Sequence, residues 1–265
     1  MKTIAKYPKL KNKEVQIRKM VEFLVCGTQK SGTTALHNYL SRHPELYLPA
    51  KKELHYFDDE SIDWVSTKHE SYHKHFDINK SQQKKWGEVT PIYMYWNPSA
   101  ARIWKYNPKM KLIIILRNPI TRAYSHWNME RSRNAENLNF LEAIKTELER
   151  SRCSLPLQNR VYSYIDRGFY SQQLRRLYRF FPSNQVFIVK QEELDEHATQ
   201  VLSKIYDYLK VSDYKFEDSV KINSIPYKEP MPREARRYLL DIFTNEIKQL
   251  EVMLNWNCNS WRETI

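Results

Sequence analysis

Three short stretches carry the residue types that could do chemistry. The first is Gly27-Thr28-Gln29-Lys30-Ser31-Gly32-Thr33-Thr34, in which two glycines bracket a lysine and hydroxyl side chains follow. A glycine-bounded loop running into a helix turns backbone N–H groups and the positive end of the helix dipole toward an anion, most often a phosphate. A triphosphate-binding loop reads G-x-x-x-x-G-K-[ST]. Gly27, Gly32 and Thr34 keep that spacing, but Thr33 stands where the lysine belongs, and the lysine sits within the loop as Lys30. So placed, it faces the bond between the first phosphate and its substituent, where it can neutralise charge on a bridging oxygen without a metal.

The second stretch runs from Arg117 to Trp127. Arg117 is a bidentate phosphate donor at a strand end, and Ser125 follows about two helical turns later, so both can converge on one anion. The third is Lys52-Glu53-Leu54-His55-Tyr56-Phe57-Asp58. Its carboxylates and imidazole are candidate general bases. An extended backbone would put Glu53, His55 and Phe57 on one face. Glu88, in Gly87-Glu88-Val89-Thr90-Pro91, is a third candidate base.

The elements around these stretches suit that role. Val21 to Cys26 reads as a buried strand, Thr33 to Arg42 as a helix and Leu46 to Leu48 as a short strand. Asn97-Pro98 predicts an N-cap followed by proline at the first helical position. Lys111 to Leu116 is a continuous apolar strand of the kind covered on both faces, and Asn118-Pro119 opens the helix after it. Helices are predicted near 138–151, 170–180, 195–209 and 232–254, with a strand at 185–189. Alternating strands and helices imply an α/β fold: one domain, a mostly parallel central sheet flanked by helices, and a P-loop-like phosphate-binding loop. Residues 1–20, with seven basic side chains and Glu14, read as a basic arm before a domain spanning 21–265.

The stretch Gly27-Thr28-Gln29-Lys30-Ser31-Gly32-Thr33-Thr34-Ala35-Leu36 resembles the 5′-phosphosulfate loop of sulfotransferases that use 3′-phosphoadenosine-5′-phosphosulfate (PAPS). The likeness is greatest to the heparan sulfate sulfotransferases and their bacterial relatives. The resemblance implies that Lys30 contacts the bridging oxygen of the phosphosulfate, with Gln29, Ser31, Gly32, Thr33 and Thr34 around the 5′-phosphate. Arg117 and Ser125 match the pair that binds the 3′-phosphate. Lys52 to Asp58 resembles the Lys-Glu-x-His-Phe-Phe-Asp stretch supplying the catalytic glutamate. Glu53 is therefore the expected base, with His55 as neighbour and substitute. Tyr170, in Arg167-Gly168-Phe169-Tyr170, is expected beside the adenine, and Lys228 in the late phosphate-proximal loop. Val89 stands where the glycan enzymes often carry lysine, which argues for a small-molecule acceptor over a highly anionic glycan. The product would be 3′-phosphoadenosine-5′-phosphate (PAP), with no metal required.

Composition excludes several classes. Aromatic content of 13% and seven tryptophans rule out a disordered chain. The longest aliphatic run is Leu112 to Leu116, whereas a bilayer span needs about 20 residues. No secretory signal opens the chain, so a cytoplasmic enzyme is expected. Cys26, Cys153 and Cys258 form no disulfide framework and lack zinc spacing. His69, His73 and His75 lie on a polar segment and read as solvated. Trp86, Trp96 and Trp127 are candidates to shape an acceptor pocket. A formal charge of +12 admits nucleic acid as a partner, and Arg167, Arg175, Arg176, Arg179 and Lys190 suggest one basic face. No nucleic-acid-binding motif accompanies it. The rival readings are a glycan sulfotransferase, a P-loop kinase needing Mg²⁺, and a non-catalytic nucleotide-binding protein. Oligomeric state is not legible.

Overall fold

The computed structural model describes residues 19–77, 84–215, 227 and 229–263. Most of the basic arm, and Lys228, lie outside the described residues.

Two apolar runs set the centre of the molecule. Strand β1 (Phe23–Gly27) and strand β4 (Lys111–Leu116) pair in parallel, and the β-branched, aliphatic sequence of β4 is buried but for Lys111. Strands β2 (Leu46–Tyr47), β3 (Lys85–Val89) and β5 (Val186–Lys190) complete a parallel sheet in the order β2-β3-β1-β4-β5. Strand alternation sends successive side chains to opposite faces. Phe23, Val25, Ile113 and Ile115 enter one core with α1 (Thr33–Arg42). Leu24, Cys26, Leu112, Ile114 and Leu116 enter the other, with α3 (Ser99–Tyr106) and α4 (Pro119–Ser132). Both faces are covered, as a parallel sheet requires.

Further helices follow in chain order. A short α2 (Glu70–His73) precedes β3. The predicted helix at 138–151 is divided into α5 (Phe140–Lys145) and α6 (Glu147–Ser151). Then come α7 (Tyr170–Tyr178), α8 (Gln191–Glu196), α9 (Ala198–Leu209), α10 (Arg233–Leu254) and α11 (Asn259–Arg262). Among the described residues no helix is long and apolar enough to cross a membrane.

Several expectations are corrected. Strand β3 forms where the sequence predicts none, because Lys85, Gly87 and Glu88 dilute its apolar signal. Gly87 is there because Phe23 of β1 lies across it: a Cβ at this position would sit 2.0 Å from the Phe23 ring. Asn97 does not cap α3. Pro98 holds that place, and Asn97 Oδ1 accepts from Arg176 Nη1 at 2.5 Å instead. Nor do the residues between 167 and 190 form one basic face. Arg167 is only 3% exposed, and Arg176 turns inward to donate to the carbonyls of Met94 and Tyr95, both at 2.7 Å.

His69 and His73 hydrogen-bond the Tyr56 and Tyr106 hydroxyls, each at 2.9 Å, rather than facing solvent together. Among the described residues no group of three or more His, Cys, Asp or Glu could hold a metal. Cys26 is buried and its thiol is pushed up to about 12 by that burial; Cys153 is an exposed free thiol.

Candidate active site

Because every strand runs the same way, the loops after β1, β3 and β4 emerge at one edge of the sheet. That carboxyl edge is where open α/β sheets receive ligands. After β1, the Thr28 Oγ1 hydroxyl lies 2.6 Å from Ser31 Oγ and donates to the Ile115 carbonyl at 2.9 Å, tying the loop to β4. Lys30 takes a left-handed backbone (φ 72°), as does Gly32 (φ 87°), where glycine avoids the steric cost of a Cβ. Gly32 is also the N-cap of α1 and offers no side-chain acceptor, and the first turn contains no acidic residue. The orphan first-turn amides and the dipole are therefore left for an anion from elsewhere. Thr33 is buried and Thr34 exposed.

After β4, Asn118 caps α4, accepting from the Ile120 N–H at 3.0 Å, with Pro119 at the first helical position. This start fixes Arg117 at the mouth of the same edge. Its Nη1 donates to the Lys30 carbonyl at 3.1 Å and its Nε to Thr121 Oγ1 at 3.0 Å. Burial first, and then the Arg117 and Arg133 guanidiniums, hold the Lys30 ammonium below its usual range; Glu130 and Glu53 partly offset them. Lys30, Arg117 and Glu53 thus share one electrostatic neighbourhood although they come from three separate loops. Ser125 lies further along α4 and is 6% exposed.

Tyr170 is placed differently from expectation. It is fully buried, and its hydroxyl donates to the Arg117 carbonyl at 3.0 Å, so it buttresses the Arg117 loop from behind.

The segment from Lys52 to Asp58 is not extended. Glu53 (φ 58°) and His55 (φ 56°) both adopt left-handed backbone, and Phe57 is buried in the core instead of sharing a face with them. The Glu53 N–H donates to the Val89 carbonyl at 3.0 Å, docking the segment on the end of β3. His55, 3.7 Å away through Nε2, and Lys52, at 2.7 Å, hold the Glu53 carboxyl down to about 2. Asp58 and Glu53 together raise the His55 imidazole to about 9. At neutral pH the pair is therefore carboxylate and imidazolium, so that Glu53 presents open acceptor oxygens and His55 no open acceptor nitrogen.

Glu88 is removed from the base candidates. It is 1% exposed, and burial pushes its carboxyl up. Hydroxyls of Tyr72, Thr90 and Tyr93 all donate to it, at 2.5, 2.5 and 2.7 Å. It is a structural hub beneath the site.

Next to His55 opens a cleft of about 720 Å³, lined by Leu54, His55, Asp58, Trp96, Arg160 and Val161 among others. Of the three tryptophans proposed for a pocket, Trp96 reaches this cleft. Trp86 is core, and Trp127 donates to the Leu138 carbonyl at 3.1 Å and stacks on Tyr124. Arg133 and Glu130, which act on Lys30, and Arg160, which lines the cleft, carry no local signal in the sequence and reach the site only through the fold.

Comparison with known proteins follows the same lines. The family model described as "Sulfotransferase domain" matches residues 21–233. The membrane-associated sulfotransferase kil1 of Dictyostelium discoideum is 25% identical, over 88% of this chain and 65% of that protein. Heparan sulfate glucosamine 3-O-sulfotransferase 5 of Mus musculus is 27% identical, over 73% of this chain and 54% of its own length. The chain thus spans less than two thirds of these curated relatives. A sulfotransferase crystal structure from Alicyclobacillus acidocaldarius superposes with a TM-score of 0.77 at 28% identity, covering 92% of this chain and 100% of that one. With the family match running from β1 to the start of α10, the chain belongs to the sulfotransferase family.

Proposed function

We propose that the protein transfers a sulfuryl group from 3′-phosphoadenosine-5′-phosphosulfate to a hydroxyl or amine of a small acceptor. The observation that carries this reading is the clustering of Lys30, Arg117 and Glu53 at the mouth of an uncapped helix. Two cations and a ring of amides suit a donor phosphorylated at two ends, and a carboxylate stands beside them. The donor supplies an activated sulfur–oxygen bond. Lys30 stabilises negative charge on the bridging oxygen as that bond breaks, so the electron pair leaves on the 5′-phosphate. The loop residues Gln29, Ser31, Gly32, Thr33 and Thr34 hold that phosphate. Arg117 and Ser125 hold the 3′-phosphate, with Tyr170 supporting Arg117. Lys228, outside the described residues, is proposed for the phosphates on the sequence resemblance alone. Glu53 accepts the proton of the acceptor as the new bond to sulfur forms, and His55 orients the carboxylate. The lysine displaced into the loop separates this reading from a Mg²⁺-dependent kinase.

The acceptor side supports a small, weakly charged molecule. The cleft lining carries Asp58, Asp59 and Glu60, of which Asp58 pairs with Arg160 and Glu60 with Arg102, and Val89 is buried and contributes no charge. A polyanionic glycan would need an excess of cations there. The buried free thiols of Cys26 and Cys258 suit a reducing compartment such as the cytoplasm.

The test is thermal shift with PAP, with and without chelator, against ATP with Mg²⁺. PAP should raise Tm without metal. A preference for Mg²⁺-ATP overturns the reading. A screen of small metabolites and desulfated heparan chains with labelled donor then identifies the acceptor; transfer confined to the glycan chains favours the glycan alternative.

A further inference from the structure

Arg167 and Arg160 join the donor loop to the acceptor segment. Arg167 spends its guanidinium on three uncharged oxygens: Nε on Ser163 Oγ at 2.7 Å, Nη1 on Gln29 Oε1, and Nη2 on the Arg160 carbonyl at 2.7 Å. Arg160 in turn grips Asp58 twice, Nη1 to Oδ2 and Nη2 to the carbonyl oxygen, and lies 4.1 Å over the Trp96 ring. Asp58 Oδ2 is 3.0 Å from His55 Nδ1, and His55 Nε2 is 3.7 Å from Glu53 Oε2. The contacts run unbroken from Gln29, the neighbour of Lys30, to Glu53.

We propose that Arg167 and Arg160 are positioning residues that transmit occupancy of the donor loop to the Glu53–His55 pair. The proposal rests on reading that loop as the nucleotide site. Arg167 is almost wholly buried, and its burial disfavours the charge. An anion arriving at the adjacent loop attracts it. A guanidinium is a rigid planar fork, so turning Nη1 toward an anion also turns Nη2 against the Arg160 carbonyl. Arg160 carries that displacement to Asp58 through its own two-pronged contact. A contact chain of this kind makes the effect reciprocal: what the donor does to His55, the ionisation of His55 does to donor affinity.

The charged groups facing His55 are Asp58 and Glu53, with Arg160 behind the first and Lys52 behind the second. Its imidazole is the natural reporter, and it needs no acceptor. In wild type, saturating PAP should move the His55 pKa, followed by NMR and assigned with His55→Gln, by about half a pH unit or more. Arg160→Met should bind PAP with a Kd within about threefold of wild type yet lose most of that shift. Arg160→Lys, which keeps the charge but not the fork, should lose it too, and serves if the Met variant is unstable.

An undiminished shift in both variants would mean a through-space field and overturns the proposal. PAP binding to wild type without any His55 shift also overturns it while leaving the donor reading intact. Failure of wild type to bind PAP at all overturns the donor reading and takes the proposal with it.

Discussion

Arg117 donates a hydrogen bond to the carbonyl oxygen of Lys30 at 3.1 Å, so the loops after β1 and β4 share one guanidinium. The contact holds two cations close together at the cost of mutual repulsion, a strain that an arriving anion relieves. Arg117→Met should weaken PAP binding by about 10- to 100-fold, the equivalent of ~1.5–3 kcal/mol for charge-assisted hydrogen bonds. Calorimetry measures it; an unchanged Kd would remove Arg117 from the site.

Lys30 can be tested without disturbing its backbone. Its φ of 72° suits glycine better than alanine. Lys30→Gly should keep the Tm and lower turnover by about 10²- to 10³-fold, the range for losing one donor to a developing oxyanion. Turnover within a few-fold of wild type would show that the loop lysine does not serve the leaving group.

The Glu53–His55 pair predicts a pH dependence of stability with a definite sign. His55 is raised from 6.5 to about 9 in the folded protein, so its stabilisation is complete below pH 6.5 and is lost as pH rises through about 9. Glu53 is lowered from 4.5 to about 2, so its contribution is present above pH 4.5 and lost as pH falls toward 2. Chemical denaturation of His55→Gln should lack part of the decline that wild type shows between pH 6.5 and 9. Identical slopes would place His55 away from these carboxylates. Glu53→Gln should abolish transfer and retain PAP binding; full activity would exclude Glu53 as the base.

Gly87 makes a prediction about the sheet. An alanine Cβ there would meet the Phe23 ring at 2.0 Å, so Gly87→Ala should destabilise the protein by about 1–3 kcal/mol or more. A companion Phe23→Leu should recover part of that loss. A neutral Gly87→Ala would mean that β1 and β3 pack otherwise.

Much of the fold was legible because its signals are local. The apolar, β-branched run from Leu112 to Leu116 favours a covered strand, and Asn118-Pro119 favours a helix start. Strand β3 was missed since much of its warrant is not local: Gly87 answers Phe23 of β1, and Glu88 answers the Tyr72 hydroxyl of α2 as well as those of Thr90 and Tyr93 just after it. Asn97 was misread for a similar reason, its side chain having been claimed by Arg176 from α7.

Sequence by itself determined the chemistry on offer: a lysine within a glycine-bounded loop, an arginine at a strand end, and a carboxylate beside a histidine. It did so because residue type and spacing are written along the chain itself. Tertiary structure alone decided which of these groups meet and in what ionisation state. It buried Glu88, turned Tyr170 behind Arg117, and set His55 between two carboxylates. Burial and through-space charge depend on distances between segments far apart in sequence, and only the packed sheet establishes those distances.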